Sequence, residues 1–349
     1  MNEEFRRILV VRTDRIGDVL LTLPMVEVLR RELPGAHIAM MIRRYTAELV
    51  EENPAVDQVL FYDGDGRPLP FFRLVASLRE QSFDVVFHTH PIFRLALITR
   101  FARIPVRVGT GYRWYSRLFN RRVHEHRKDA LRHELEYNLN LLKAIGLDGE
   151  ARDVRPRIDV PPERLEKVRS LLGTLGVGGK ERFVILHPGS GRSARDWNPE
   201  NFGRLGRRIR ETSGTRVLVT GGRGEEALVA RVAGAVGGNV VPIVDRLSLR
   251  EYAALAQLSS LFVANSTGPL HIAAAVGTPV IGLYPQVTPL SAARWGPFTE
   301  EKVIFTPKNK PSDCRRCLRG RSKTCECMET ITVDEVYDAA ADILQRHKR

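Results

Sequence analysis

The chain of 349 residues has only four cysteines, all of them late: Cys314, Cys317, Cys325 and Cys327. None is available to staple the rest of the chain, which fits a reducing compartment. No apolar run approaches the ~20 residues that a spanning helix needs. The opening "MNEEFRRILVV" has neither a long apolar stretch nor a small-residue cleavage site, so no signal peptide is expected and a soluble, cytoplasmic protein is. Neither half carries a GxGxxG fingerprint or a GxxxxGK(S/T) loop, which argues against a standard dinucleotide dehydrogenase or P-loop enzyme. There is no repeat at solenoid spacing and no low-complexity tract.

What is present is apolar material in short pieces. Hydrophobic residues make up 43% of the chain, enough for real cores. Strand-like runs predict one sheet from 8–11, 37–42, 58–62, 84–88 and 106–109, and a second from 183–187, 217–221, 240–244, 261–265 and 279–284. Amphipathic stretches near 18–32, 71–81, 92–103 and 133–145 separate the first set, and stretches near 199–211, 224–236, 249–258 and 268–276 the second. Nearly all-apolar strands alternating with helices indicate parallel sheets covered on both faces. The segment "LDGEARDVRPRIDVPPE" (147–163) breaks both patterns and is the best boundary. The expected fold class is α/β, two doubly wound domains with a cleft between them. They span 1–155 and 156–330, with a C-terminal helix over 331–349. Such sheets bind ligands beyond the carboxyl ends of their strands.

The net charge is +13, and its distribution says more than its total. From Pro91 to Leu135 eleven basic residues face three acids, a surplus of eight. The surplus is either an arginine-rich solvated surface or a face for an anionic partner, acidic lipid or acidic glycan. The stretch has no nucleic-acid motif, and no nucleic-acid partner is expected.

Four strand ends could carry chemistry. In "RTDRIGDVLLTLP" (12–24) Asp14 reads as a turn acid, and Asp18 falls in a first helical turn, where a carboxylate is favoured by about 0.3–1 kcal/mol. In "VANSTGPLHIAAAVGTPV" (263–280) Ser266, Thr267 and Gly268 join a strand to a small-residue helix. Hydroxyls, amides and a helix N-terminus at one spot suit a diphosphate, with His271 one turn on; an ordinary N-cap is the simpler reading. "HPGSGRSARDWNPENF" (187–202) offers Ser190, Arg192 and Arg195 to phosphate oxygens. "VTGGRGEEALVARV" (219–232) places Glu225 and Glu226 at another helix start, as dipole-favoured acids or as partners of ribose hydroxyls.

"DGDG" (63–66) contains a D-x-D but its glycines mark a turn, and "HTHP" (88–91) lacks carboxylate or thiolate partners for a metal. The spacing C-x2-C-x7-C-x-C over 314–327 could hold zinc, although its central interval is shorter than in the common ribbon.

"DRIGDVLLTLP", "HPGS…W…NF" and "NSTGPLHIAAAVGTPVIGLY", in this order, resemble glycosyltransferase family 9, the heptosyltransferases of lipopolysaccharide assembly. The resemblance runs from about Ile8 to the end. It implies a GT-B fold, with an N-terminal acceptor domain, a C-terminal donor domain, and sugar transfer from ADP-heptose with inversion and no required metal or cofactor. It places the family's general base on Asp18, beside Gly17, and matches Arg195 to a lysine before the tryptophan and Glu225 to a glutamate at the nucleotide. Ser190, Arg192, Ser266, Thr267, Gly268 and His271 complete the implied donor site. The acceptor would be an acidic, membrane-borne glycolipid on the inner membrane's cytoplasmic face, met by Arg113, Arg117, Arg121 and Arg122. Cysteines recur in this region of the family, so Cys314, Cys317, Cys325 and Cys327 support membership rather than metal. Ser266 stands where many heptosyltransferases have Asp, and Arg195 replaces a lysine. Another nucleotide sugar is therefore an alternative donor. The rival readings are a GT-B-like epimerase and a polyanion- or membrane-binding protein with a vestigial nucleotide site.

Overall fold

The computed structural model describes residues 5–150, 154–179, 181–191, 195–308 and 326–346. The chain divides into two compact units, Met1–Pro156 and Arg157–Arg349.

The first unit is built on six parallel strands: β1 (Arg7–Val11), β2 (His37–Ile42), β3 (Gln58–Phe61), β6 (Val85–His88), β7 (Val106–Thr110) and β8 (Arg121–Val123), in the order β3-β2-β1-β6-β7-β8. A two-stranded hairpin, β4 (Asp63–Gly64) with β5 (Arg67–Pro68), projects after β3. Asp65 and Gly66 take positive φ at its tip, so the D-x-D is a turn. The central strands are buried along almost their whole length, because helices cover the sheet. One face packs Leu9, Val11, Val86 and Met41 against Leu74 and Leu78 of α3 (Phe71–Glu80) and Leu95 and Ile98 of α4 (Phe93–Phe101).

The helix expected over 18–32 is two helices, α1 (Ile16–Leu20) and α2 (Leu23–Glu32). Pro24 has no N–H to continue the ladder, and it sits where proline is tolerated, in the first turn of a new helix. The one expected over 133–145 is α5 (Glu134–Leu139) followed by a 3₁₀ segment, Asn140–Ile145, closed by Gly146 at φ 81°.

The second unit repeats the plan with β9 (Phe183–His187), β10 (Arg216–Gly221), β11 (Val241–Val244), β12 (Leu261–Asn265), β13 (Val280–Leu283) and β14 (Lys302–Phe305), parallel in the order β11-β10-β9-β12-β13-β14. Its helices are α6 (Pro162–Thr174), α7 (Pro199–Ser213), α8 (Glu226–Val236), α9 (Leu249–Leu258) and α10 (Gly268–Ala275), with a final helix, Val333–Arg346, packed on α7. Trp197 is fully buried and donates from Nε1 to the Ile331 carbonyl at 2.9 Å, which ties the end of the chain to this core. The edge strands β8 and β14 escaped the sequence reading. Each is half-exposed and carries arginine or lysine, the usual protection of a sheet edge.

Both units share one topological property. The chain steps outward from β1 to β3, then returns to the other side of β1 at β6. In the second unit it steps from β9 to β11 and returns at β12. A reversal of this kind opens a crevice beyond the carboxyl ends of the two strands flanking it, and ligands bind there. The crevices lie after β1 and β6 in one unit and after β9 and β12 in the other.

Helices α7 and α8 approach closely because Gly203 has no side chain: a Cβ there would lie 2.3 Å from the Ala235 Cβ. Gly203→Val is expected to push them apart and destabilise the fold by about 1–3 kcal/mol, seen as a lower midpoint in urea unfolding at unchanged slope.

Candidate active site

The first crevice holds charge. Arg12 leaves β1 almost fully buried, 2% exposed, and its guanidinium is divided among three carboxylates. Nε donates to Asp14 Oδ1 at 2.8 Å, Nη2 to Asp18 Oδ1, and Nη1 to Glu134 Oε1 at 3.1 Å. Nη1 also reaches the Thr89 carbonyl after β6 at 3.4 Å. Glu134, at the start of α5, is 1% exposed and takes a second guanidinium, Arg127 Nη1, at 2.5 Å. Asn138, one turn on, donates to the Leu21 carbonyl at 3.0 Å and so fixes the joint between α1 and α2. Residues 122 apart in sequence thus meet around one guanidinium.

Asp18 lies in the first turn of α1, as expected, and stays 14% exposed. Burial pushes its carboxyl up to about 6; Arg12 opposes this, while Asp14 and Glu134 add to it. Three carboxylates against two guanidiniums leave one negative charge in excess, and a proton on Asp18 removes it. Arg12 engages Oδ1 and leaves Oδ2 outside that pair. His90 stands 3.7 Å from Asp14, and burial holds it down to about 4, so it is neutral at pH 7 and adds no charge. A carboxylate that is ionised at pH 7, partly shielded and hydrogen-bonded on one oxygen is suited to accept a proton. Gly17 is buried inside α1, one residue before it.

His88 does not reach this crevice. It is buried, bonds Thr99 Oγ1 through Nε2 at 3.0 Å and is held neutral by desolvation. Arg113, Arg117, Arg121 and Arg122 are all exposed, but they do not share one face. Arg121 and Arg122 are neighbours on β8, so their side chains leave opposite sides of the sheet.

The second crevice is built mostly from backbone and uncharged groups. Asn265, the last residue of β12, accepts from the Trp197 N–H at 2.8 Å and donates to the Pro188 carbonyl at 2.7 Å. It therefore draws both ends of the loop after β9 to the turn Ser266–Gly268. Thr267 is the N-cap of α10 and makes no side-chain cap. Ser266, Thr267, His271 and Ser190 are buried polar residues in this region. Arg195 lies two residues before the anchored Trp197 and is partly exposed. Glu225 is the N-cap residue of α8; its carboxylate accepts from the Gly222 N–H at 2.9 Å. The same carboxylate lies against Gly189, where a Cβ would fall 2.1 Å from Oε1. The fold thus brings Ser190, Glu225, Ser266, Thr267, Gly268 and His271 to one end of the second sheet, with the chain at Arg195 held to the same turn. Arg192, Cys314, Cys317 and Cys325 lie outside the described residues. Cys327 sits half-buried in a 3₁₀ turn, Glu326–Thr330, and among the described residues no cluster of His, Cys, Asp or Glu has the makings of a metal site.

The family model for glycosyltransferase family 9 (heptosyltransferase) matches residues 71–323. The chain belongs to that family. Among its relatives, lipopolysaccharide heptosyltransferase 3 of Escherichia coli K12 is 26% identical over 344 residues, covering 94% of this chain and 95% of that protein. Two solved structures share the architecture. The family 9 glycosyl transferase from Veillonella parvula superposes with TM-score 0.83 at 21% identity, covering 99% of both chains. The Escherichia coli ADP-heptose lps heptosyltransferase II superposes with TM-score 0.79 at 19% identity, covering 98% of this chain and all of that one. The fold is that of the GT-B glycosyltransferases, and this family 9 member is a glycosyltransferase enzyme.

Arg12, Arg127 and Glu134 escaped the sequence reading. The available signal was Arg12 itself, a charge directly continuing an apolar buried strand; nothing local marks Glu134.

A carboxyl pushed up on folding is held more tightly in its protonated form than in the unfolded chain. The stability tied to Asp18 is complete below about pH 4 and is lost as pH rises through about 6. Asp18→Asn, which fixes the neutral form, is expected to melt at or above the wild-type temperature at pH 7.5. The advantage should vanish at pH 4, as scanning calorimetry at the two pH values checks.

Proposed function

We propose that this protein is an inverting transferase that moves heptose from ADP-heptose to an acidic glycolipid acceptor of the lipopolysaccharide-core kind, with Asp18 as general base. The observation that carries the proposal is Asp18 at the first crevice, largely buried but still reached by solvent, ion-paired through one oxygen and ionised at neutral pH. The N-terminal unit, 1–155 in the sequence reading, would bind the acceptor and the C-terminal unit, 156–330, the donor.

The steps follow from the groups available. Asp18 takes the proton from an acceptor hydroxyl as its oxygen attacks the anomeric carbon. The bond to the diphosphate oxygen breaks on the opposite face, inverting the centre, and ADP leaves with the bonding pair. The growing charge on the diphosphate is met by the Arg195 guanidinium, by Arg192 and by the amides of Thr267 and Gly268 at the start of α10. Ser190, Ser266 and His271 supply further polar contacts, and Glu225 suits the ribose hydroxyls. No step calls for a metal. Gly17 lies next to Asp18 in α1, and Arg113 and Arg117, with whichever of Arg121 and Arg122 leaves the same side of β8, meet the acceptor's acidic groups. Such an acceptor places the enzyme on the cytoplasmic face of the inner membrane as a peripheral protein.

Support comes from the family, and from a relative and a solved structure named for lipopolysaccharide heptosyltransferases. Ser266 gives the donor site one negative charge fewer than an Asp would, which favours testing other ADP-, GDP- and UDP-sugars beside ADP-heptose.

Transfer is followed by mass spectrometry of the acceptor. The proposal expects ADP-heptose to be the productive donor and Asp18→Asn to lower turnover by about 10²–10⁴-fold, with ADP binding by calorimetry unchanged. A variant with near-normal turnover would remove Asp18 from the chemistry. In the wild type, kcat/KM should rise through pH about 6 and level off above it. Glu134→Gln removes a negative neighbour and should move that rise to lower pH.

On the donor side, Gly189→Ala puts a methyl group into the space of the Glu225 carboxylate. It is expected to weaken ADP binding by about 1–3 kcal/mol, while acceptor binding is kept.

A further inference from the structure

The outer face of α4 is apolar where solvent should meet charge. Phe93, Leu97 and Phe101 recur at four-residue spacing and so run along one side of the helix. Leu95 and Ile98, on its other side, fill the core. Phe93 is 41% and Phe101 50% exposed. The line continues at both ends. The Phe93 ring lies 4.7 Å from Trp114, and the Phe101 ring 5.9 Å from Phe71, which itself lies 5.3 Å from Phe72. Trp114 and Phe72 are each 79% exposed. A continuous apolar ridge of this size on a soluble unit marks a contact surface.

The stretch of chain that carries Phe93, Phe101 and Trp114 has charge of one sign. No acidic residue occurs between Asp84 and Glu125, while eight arginines do. Arg100, Arg103, Arg113 and Arg117 among them are exposed. Aromatic rings beside arginines suit the headgroup boundary of a bilayer carrying anionic lipid, where rings enter the interface and guanidiniums meet phosphates. A second copy of the chain is a poor occupant, because a two-fold contact would bring together two surfaces that both carry these arginines. No helix among the described residues is long and apolar enough to cross a membrane, so the contact is with its surface.

The ridge also leads to the charged crevice. Tyr115, next to Trp114, donates to the Pro91 carbonyl at 2.6 Å, and Thr89 in the same loop accepts from Arg12.

We propose that this ridge docks the N-terminal unit on an anionic bilayer surface, with Trp114, Phe93 and Phe72 at the headgroup boundary, and so presents a lipid-borne acceptor to Asp18. The proposal rests on the lipid-linked acceptor proposed above.

The full-length chain is co-sedimented with vesicles of phosphatidylcholine alone and of phosphatidylcholine with one-third phosphatidylglycerol, in 0.15 M salt. Binding should be at least about tenfold tighter to the anionic vesicles. The Trp114→Ala/Phe72→Ala double variant should lose about tenfold, and Arg100→Gln about fivefold. Trp emission should shift to the blue on anionic vesicles, and Trp114→Phe should abolish the shift. Transfer to a soluble, delipidated acceptor is measured in parallel and should be unchanged in the double variant, whose circular dichroism confirms its fold. Transfer without vesicle binding, or equal binding of wild type and double variant, overturns the docking surface and leaves the catalytic reading standing. Vesicle binding that depends on Trp114 without transfer from any nucleotide sugar supports the surface and removes the catalytic reading. A wild-type dimer by light scattering that the double variant dissolves, with no vesicle binding, makes the ridge an interface between copies and overturns the proposal.

Discussion

Everything at the first crevice depends on one buried guanidinium. Arg12 joins the end of β1 to Asp14 and Asp18 and, across the unit, to Glu134. An ion cluster taken out of water adds little net stability, since desolvation offsets most of its Coulomb attraction. What it adds is placement. Arginine keeps its charge at any working pH, so Asp18 always has the same partner on the same oxygen. Because three carboxylates share too few positive charges, that partner does not lock Asp18 in its ionised form. Burial and the two neighbouring acids outweigh Arg12 and leave the carboxyl responsive near neutrality.

The two units apply one topology to different ends. Each reverses its strand order beside its first strand, and each sets residues that follow the flanking strands, Asp14 and Asp18 in one and Ser266 and Thr267 in the other, beside groups brought in from later or neighbouring loops. In the first unit those residues are charged and mutually dependent. In the second they are mostly neutral, arranged by an asparagine amide, a helix start and close backbone approach at Gly189. A proton acceptor needs a tuned field; a diphosphate needs donors and room for close contact. The division of roles in the proposed transfer follows from that difference.

Much of the architecture was legible because parallel, doubly covered strands are short and almost wholly apolar. "FVILH" and "LFVAN" are strands at the bounds read from the sequence. The edge strands β8 and β14 were not legible, since charged residues break their apolar pattern. Of the candidate site, a strand end drew attention to Ser266–Gly268 and to Asp18, although Asp18 read from its residues as an ordinary first-turn acid and only the family resemblance made it the expected base. Glu134 could not, because its partner lies in a different part of the chain and burial of a carboxylate has no local mark. Asn265 read as the end of a strand; its role appears only when the loop after β9 is folded over it.

The amide of Asn265 has a consequence for how such an enzyme can change. It grips the chain at Pro188 and again at Trp197, two fixed posts held by one side chain. A shift at the second post would be transmitted to the core, because the Trp197 ring is fully buried and bonded to the Ile331 carbonyl. Evolution, or an engineer, would have to keep this one amide, because a single side chain is the hinge pin by which two strand ends hold a common loop.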